Sequence, residues 1–287
     1  MIDKPGIYKI PEAEYHADPC PQPALSASMA KVILAETPLH GWYKHPRLNP
    51  DYESEHKAVF DFGSAAHAML LEGKDDIVAI DADSYRTKDA KEARDKAYSD
   101  GKTPLLIEQY KQIIEMTESA VGQLNQFPGK ESFFAAYPEM CMVWQEGEIW
   151  CRSLVDKLAG EEKIIWDYKT TAGSAAPEAV LRRLFDVGAD LQAAFYLRGY
   201  RNLTGNDAKF RYIMQETKEP FALTICELSP YALDQANEKV DAAIEIWRKC
   251  VTSNEWPGYP QEIAFLDPPS WTDRAWIEKK LVMEDKS

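Results

Sequence analysis

Apolar and polar positions are patterned most tightly between Glu139 and Lys169, in the run EMCMVWQEGEIWCRSLVDKLAGEEKIIWDYK. Its short apolar stretches, broken at Gly147 and Gly160, predict a three-strand meander. Upstream, residues 1–25 are Pro-rich and extended, with a short strand over Gly6–Ile10. Ser26 or Ser28 can cap a helix over Ala30–Ala35, and Pro38 suits the first turn of another that runs to Lys44. Residues 47–57 read as a polar loop. From Ala58 the chain reads AVFDFGSAAHAMLLEG, where the small residues Gly63, Ser64, Ala65 and Ala66 lead into an apolar helix that ends at Gly73. Val78–Ile80 reads as a strand and Leu105–Leu124 as a helix.

After the meander, Pro177–Arg201 predicts one or two helices. Phe210–Gln215 and Ala222–Leu228 alternate like paired strands. Tyr231–Cys250 is a helix with Leu233, Val240, Ile244 and Trp247 on its apolar stripe. Residues 251–287 read as an irregular tail. No repeat or low-complexity tract interrupts this order. The expectation is one α/β domain over residues 1–287, its core at about 58–250, with helices flanking a central mixed sheet and residues 1–57 as a helical and extended lead.

Composition narrows the function more than the fold. At 287 residues and 45% hydrophobic, the chain can bury a large core. A net charge of −14 argues against a protein that coats nucleic acid electrostatically, yet leaves room for an enzyme with a local basic channel. Cys20, Cys141, Cys151, Cys226 and Cys250 are scattered and contain no C-x-x-C, which disfavours a zinc ribbon, an iron–sulfur cluster or a disulfide framework. No signal-peptide h-region and no membrane-length apolar run is present. The expected setting is soluble, reduced and cytoplasmic, without membrane contact.

Candidate chemistry sits in the meander. Asp156 is the lone acid among Leu154, Val155 and Leu158, and Asp167 and Lys169 directly follow Ile164, Ile165 and Trp166. Two residues apart on a strand, Asp167 and Lys169 face the same way. Two carboxylates on neighbouring strands offer the hard oxygen ligands that Mg or Mn takes, with a lysine beside them to orient water or neutralise charge on a phosphate. Elsewhere the residues leave alternatives open. His67, on the apolar stretch AHAMLL, reads by itself as a core histidine held by one hydrogen bond. Gln192 and Tyr196, four apart on one helix face, either reach a phosphate or water or form a buried polar pair. Glu139 is either part of the acidic site or a strand-end charge.

The ordered set FGSAAH, EMCMVW, WCRSLVD, IIWDYKTT and LQAAFY resembles the RecB-like branch of the PD-(D/E)XK nuclease superfamily. Within that branch the likeness is to the exonuclease VIII (RecE-type) nucleases of phages and prophages, relatives of lambda exonuclease. LSASMAKVIL and RTKDAK are also similar to that family, so the likeness spans about residues 5–260. It implies a PD-(D/E)XK core, His67 as a metal ligand with Asp156, Asp167 and the Tyr168 carbonyl, and catalytic parts for Lys169, Gln192 and Tyr196. Glu139 matches an acidic position less securely. Val155 stands where the family often has proline before the aspartate.

The resemblance further implies a Mg-dependent exonuclease that digests one strand of linear duplex from its 5′ end, as a ring, and passes 3′ tails to a RecT-type single-strand annealing protein. Residues 84–103, rich in both charges, are then either a solvated helix face or a DNA contact. Arg86, Lys88, Arg182 and Arg183 are the candidate phosphate contacts. A related nuclease of other polarity or an endonuclease, and a non-catalytic DNA-end-binding module of the same fold, remain the alternatives. The scattered cysteines speak against a Cas4-like enzyme with an iron–sulfur cluster.

Overall fold

The computed structural model describes residues 1–53, 58–74 and 76–284. A short strand β1 (Gly6–Tyr8), a helix α1 (Glu12–His16) and a two-residue strand β2 (Leu25–Ser26) lead into α2 (Ala27–Ala35) and α3 (Pro38–Tyr43). Ser26 caps α2 by accepting the Met29 N–H, and Thr37 caps α3 with Pro38 in its first turn. Next come α4 (Ala58–His67), one π-helical turn over Ala68–Glu72, and β3 (Ile77–Ile80). Gly73 ends the π turn in the left-handed conformation, at φ 66°. The charged stretch forms α5 (Lys88–Ser99), capped by Thr87, and a strand β4 (Thr103–Leu106) that the sequence pattern had merged into the next helix. Then follow α6 (Ile107–Leu124) and the short α7 (Glu131–Phe134). Of the predicted 47–57 loop, residues 54–57 lie outside the described residues.

The meander is β5 (Tyr137–Glu146), β6 (Ile149–Ala159) and β7 (Ile164–Thr171). The predicted one or two helices are two, α8 (Pro177–Asp186) and α9 (Ala189–Thr204), divided at Gly188 with φ 63°. β8 (Lys209–Glu216), β9 (Leu223–Cys226) and α10 (Pro230–Ser253) complete this unit. A second unit spans Gly258–Ser287. Here the expectation of an irregular tail is corrected: it carries α11 (Ser270–Glu284). Pro268 and Pro269 suggested irregular chain, but they lie before the helix, and the Pro269 carbonyl accepts both the backbone N–H and the hydroxyl of Thr272.

Among the described residues the main sheet runs β1-β5-β6-β7-β8-β9, with β2 added beside β6, and β3 pairs β4 in a separate sheet. The main sheet is mixed and mostly antiparallel; β7 and β8 are parallel, joined through α8 and α9. This is the expected α/β class. Helices cover both faces, so the central strands are apolar on both sides. Ile165 packs with Trp144, Phe195, Tyr212 and Trp247 under α9 and α10, and its neighbour Trp166 packs with Ile113, Met116 and Leu70 under α4 and α6.

α9 is held in one position on that sheet. Tyr212 of β8 donates its hydroxyl to the Ala189 carbonyl at 2.6 Å, and Lys239 of α10 pairs with buried Asp190 at 2.6 Å. Gly199 lets the helix backbone close on Trp144; a Cβ there would lie 2.8 Å from the indole. Arg198 adds two bonds to Glu146 of β5. Gly199→Ala should therefore destabilise the protein by about 1–3 kcal/mol, because neither the buried indole nor the helix can yield without repacking. Urea unfolding of wild type and variant measures the difference.

Candidate active site

The site lies where two strands part. β6 and β7 pair only from Lys157–Trp166 to Ala159–Ile164; beyond that, β7 stays with β8 and β6 takes β2 as its neighbour at Cys151 and Arg152. The gap is bridged by a side chain: Asp156 Oδ2 accepts the Tyr168 N–H at 2.7 Å. In an extended strand the N–H and C=O of one residue point to the same side, so the Tyr168 carbonyl also faces the fork.

A second irregularity falls at the same level. Val155 and Leu158, three apart, both pack into one core cluster, whereas a period of two would put them on opposite faces. The break occurs at Asp156, opposite Glu139, and these two are missing from an otherwise continuous ladder. Glu139 has φ 53°, a conformation that costs a residue with a Cβ on the order of 1–3 kcal/mol. This distortion brings both carboxylates to one edge of the fork. Val155, in the position where a proline was expected, is fully buried and pairs with Met140, so the site forms without proline.

His67 reaches the same point from the end of α4, at the switch into the π turn, a distortion that helices often carry at functional sites. Its Nε2 is 3.0 Å from Asp156 Oδ2 and its Nδ1 is 3.6 Å from Glu139 Oε1. The expectation of a core histidine with a single partner is thus corrected: the ring lies between two acids. One potential ligand atom from each of His67, Glu139 and Asp156 lies within 4.8 Å of the others. A cavity of about 320 Å³ opens at Glu139, lined also by Lys9, Glu12, Glu72 and Lys74.

Next to this group stands a second one. Asp167 and Lys169 point the same way, with Nζ 2.8 Å from Oδ2. Gln192 of α9 donates to Asp167 Oδ1 at 2.7 Å and accepts from Lys169 at 3.3 Å. Tyr196, one turn on along the same helix, is buried. Tyr168 itself points to the opposite face and donates its hydroxyl to Gln215 at 2.6 Å. The structure therefore brings together His67, Glu139, Asp156, Asp167, the Tyr168 backbone, Lys169, Gln192 and Tyr196. Arg86, Lys88, Arg182 and Arg183 are exposed and stand outside this cluster; Lys88 pairs with Glu92 at 3.6 Å.

Residues 26–269 match the family described as "PDDEXK-like domain of unknown function (DUF3799)". The chain belongs to this PDDEXK-like family. No curated protein matches it. Among solved structures, it is similar to a "Putative exonuclease" from Eubacterium rectale, at 16% identity and a TM-score of 0.62, covering 93% of this chain and 98% of that one. At that identity the likeness shows the fold. A phage related exonuclease from Haemophilus somnus 129PT matches at 12% identity, with 71% of this chain and 98% of that one covered, but its TM-score of 0.30 carries no argument. The fold is thus that of the PD-(D/E)XK nucleases. Among the described residues no helix is long and apolar enough to cross a membrane.

The donor set of this PDDEXK-like site suits a divalent cation. Two carboxylates and one imidazole converge there, and a carbonyl faces them; the oxygens are ligands of the kind Mg and Mn take, and the imidazole is a common ligand of transition metals. The electrostatics show the need for positive charge. Burial, opposed by the His67 charge, pushes Glu139 up to about 7. Burial alone would lower His67, but the charge and hydrogen bond of Asp156, and then Glu139, lift it to about 9. Burial also works against ionised Asp156, yet His67, Lys169 and the Tyr168 N–H outweigh it and hold that carboxyl below its usual range. Asp167 is raised, by burial and by Asp156. Lys169 stays protonated because Asp167 and Asp156 outweigh its burial.

Sequence reasoning missed one cation. Lys31 of α2 donates to Gln192 Oε1 at 3.4 Å, and burial, followed by the nearby Lys169 charge, pushes its amine down to about 8. The only signal was its place in LSASMAK, a helix start that the pattern gave no reason to bring onto the sheet.

The raised imidazole has a defined sign. Its stabilising contribution is complete below pH 6.5 and is lost as pH rises through about 9, because only the folded chain keeps that proton in between. In EDTA the melting temperature should accordingly fall from pH 6.5 to 9. In NMR titration the His67 ring should still be protonated at about pH 8, and Asp156→Asn should lower its midpoint.

Proposed function

We propose that this protein is a Mg-dependent 5′→3′ exodeoxyribonuclease acting on linear double-stranded DNA, with Mn as a substitute. The observation that carries the reading is the His67–Glu139–Asp156 group beside protonated Lys169, all on one fork of the sheet. His67, Glu139 and Asp156 would hold the cation, with Asp167 and the Tyr168 carbonyl next to them. Such a cation polarises a phosphate oxygen and makes water a stronger nucleophile at neutral pH.

The side chains do the rest. Lys169, fixed by Asp167 and by Gln192, has spare N–H donors for the oxygen on which charge builds as the P–O bond breaks. Gln192 bonds both Asp167 and Lys169 and so holds them together, and buried Tyr196 lies one turn on along the same helix. Because the amine is protonated, it serves as a donor and not as a proton acceptor. An overall charge of −14 leaves DNA attraction to local cations, and exposed Arg86, Lys88, Arg182 and Arg183 are the phosphate contacts we assign.

Polarity and biological role rest on the RecE-type resemblance of the motifs. In this reading the protein works in phage-type recombination, in the cytoplasm, as a homo-oligomeric ring around the duplex. It leaves 3′ single-stranded tails for a RecT-type annealing protein. The intact Asp156, Asp167 and Lys169 favour an enzyme over a non-catalytic end-binding module.

Lys169→Ala and Asp156→Asn should each reduce DNA degradation by at least about 10²–10³ while the protein still unfolds cooperatively. EDTA should silence the wild type, and Mg or Mn should restore it. End-labelled linear duplex should be shortened from the 5′ end and closed circles spared. Efficient cutting of circles would instead identify an endonuclease.

A further inference from the structure

One cation in the site has no part in the mechanism above. Lys31 comes from α2, far in sequence from the meander and from α9. Its amine is 3.4 Å from Gln192 Oε1, the same oxygen that accepts Lys169 at 3.3 Å. Two ammonium groups thus share one neutral acceptor. Among the described residues Lys31 has no carboxylate within ion-pair distance, whereas Lys169 has Asp167 at 2.8 Å. A half-buried cation whose nearest partner is an amide, and whose neighbour is another cation, is held against both its desolvation and its Coulomb repulsion.

The placement is built and not a chance rotamer. The Lys31 stem lies along Gly188, where a Cβ would meet its Cγ and Cδ at 3.3 Å. Gly188 has φ 63°, and it is the residue before α9, so the absence of a side chain there gives the lysine its track. That track ends in the first turn of α9, the positive end of the helix, where an unpartnered cation is disfavoured and an anion is welcome. An anion at this point would meet two amines, and the two carboxylates nearest Lys31 are both already engaged: Asp167 by Lys169 and Gln192, and Asp190 by Lys239.

We propose that Lys31 is a phosphate-binding residue of the active site, which grips a second phosphate of the cleaved strand next to the one at Lys169. This inference rests on the nuclease reading above. Gln192 then has two tasks: it holds Lys169 to the reacting phosphate and spaces Lys31 from it. The second phosphate is either the internal phosphodiester adjoining the cleaved bond or the phosphate at the strand end; both offer the same charged oxygens.

Steady-state digestion of linear duplex with Mg tests this, comparing wild type with Lys31→Met, which keeps the packed stem and drops the charge, and Lys31→Arg. Thermal unfolding of each variant checks the fold. The substrates are ordinary duplex with a 5′-phosphate, the same duplex with a 5′-hydroxyl, and duplexes with one neutral methylphosphonate on either side of the cleaved bond. Lys31→Met should lower kcat/KM on the ordinary duplex by about ten- to hundredfold, and Lys31→Arg should retain most of the activity. The loss should vanish on the one substrate whose contacted phosphate is neutral or absent. If that substrate is the 5′-hydroxyl duplex, the group is the end phosphate; if it is a methylphosphonate, it is the internal one. An unchanged Lys31→Met, or an equal loss on every substrate, overturns the proposal while the nuclease reading stands. A wild type that degrades no DNA overturns the nuclease reading and this proposal with it.

Discussion

Three carboxylates, Glu139, Asp156 and Asp167, are held within one partly dehydrated fork, and the structure around them is arranged to bear that repulsion. In a low-dielectric setting such a group is tolerated only with compensating charge and donors. His67 supplies a proton between Asp156 and Glu139, Lys169 supplies another beside Asp167, and the Tyr168 N–H and Gln192 amide supply neutral donors. A divalent cation would replace the proton on His67 with a stronger charge at the same place. The site is therefore a balance that is already poised for a cation, and its cost is carried by the sheet and helices that fix the groups.

That cost is visible in the backbone. Glu139 takes a left-handed conformation inside a strand, β6 loses its alternation at Asp156, and α4 yields to a π turn directly after His67. Three independent elements are distorted at one locus, and each distortion brings a ligand-bearing side chain inward. Regular pairing resumes on both sides, with Trp144, Trp166 and Phe195 packed against it. The large core thus pays for local strain that a smaller domain would not sustain.

Much of this was legible in the chain. The meander, the helix cap at Ser26, Pro38 in the first turn of its helix, and the common direction of Asp167 and Lys169 follow from short-range pattern and stereochemistry. The meeting of His67 with Asp156 does not, because it depends on how α4 crosses a sheet that is formed much later in the chain. The motif order supplied that pairing, and periodicity by itself favoured a core residue. Lys31 stayed hidden for a similar reason: its significance comes from Gly188 and Gln192, which only the packing of α2 against α9 brings near. β4 and α11 were lost to nearby charge and proline, where local composition outweighed pairing and capping.

The account rests on a cation held by His67, Glu139 and Asp156 beside Lys169. The most direct measurement is anomalous diffraction from a crystal of the protein soaked in Mn. The account predicts a Mn peak within coordination distance of those three side chains and of the Tyr168 carbonyl. A well-ordered fork without a peak, with Mn bound elsewhere on the molecule, would contradict it.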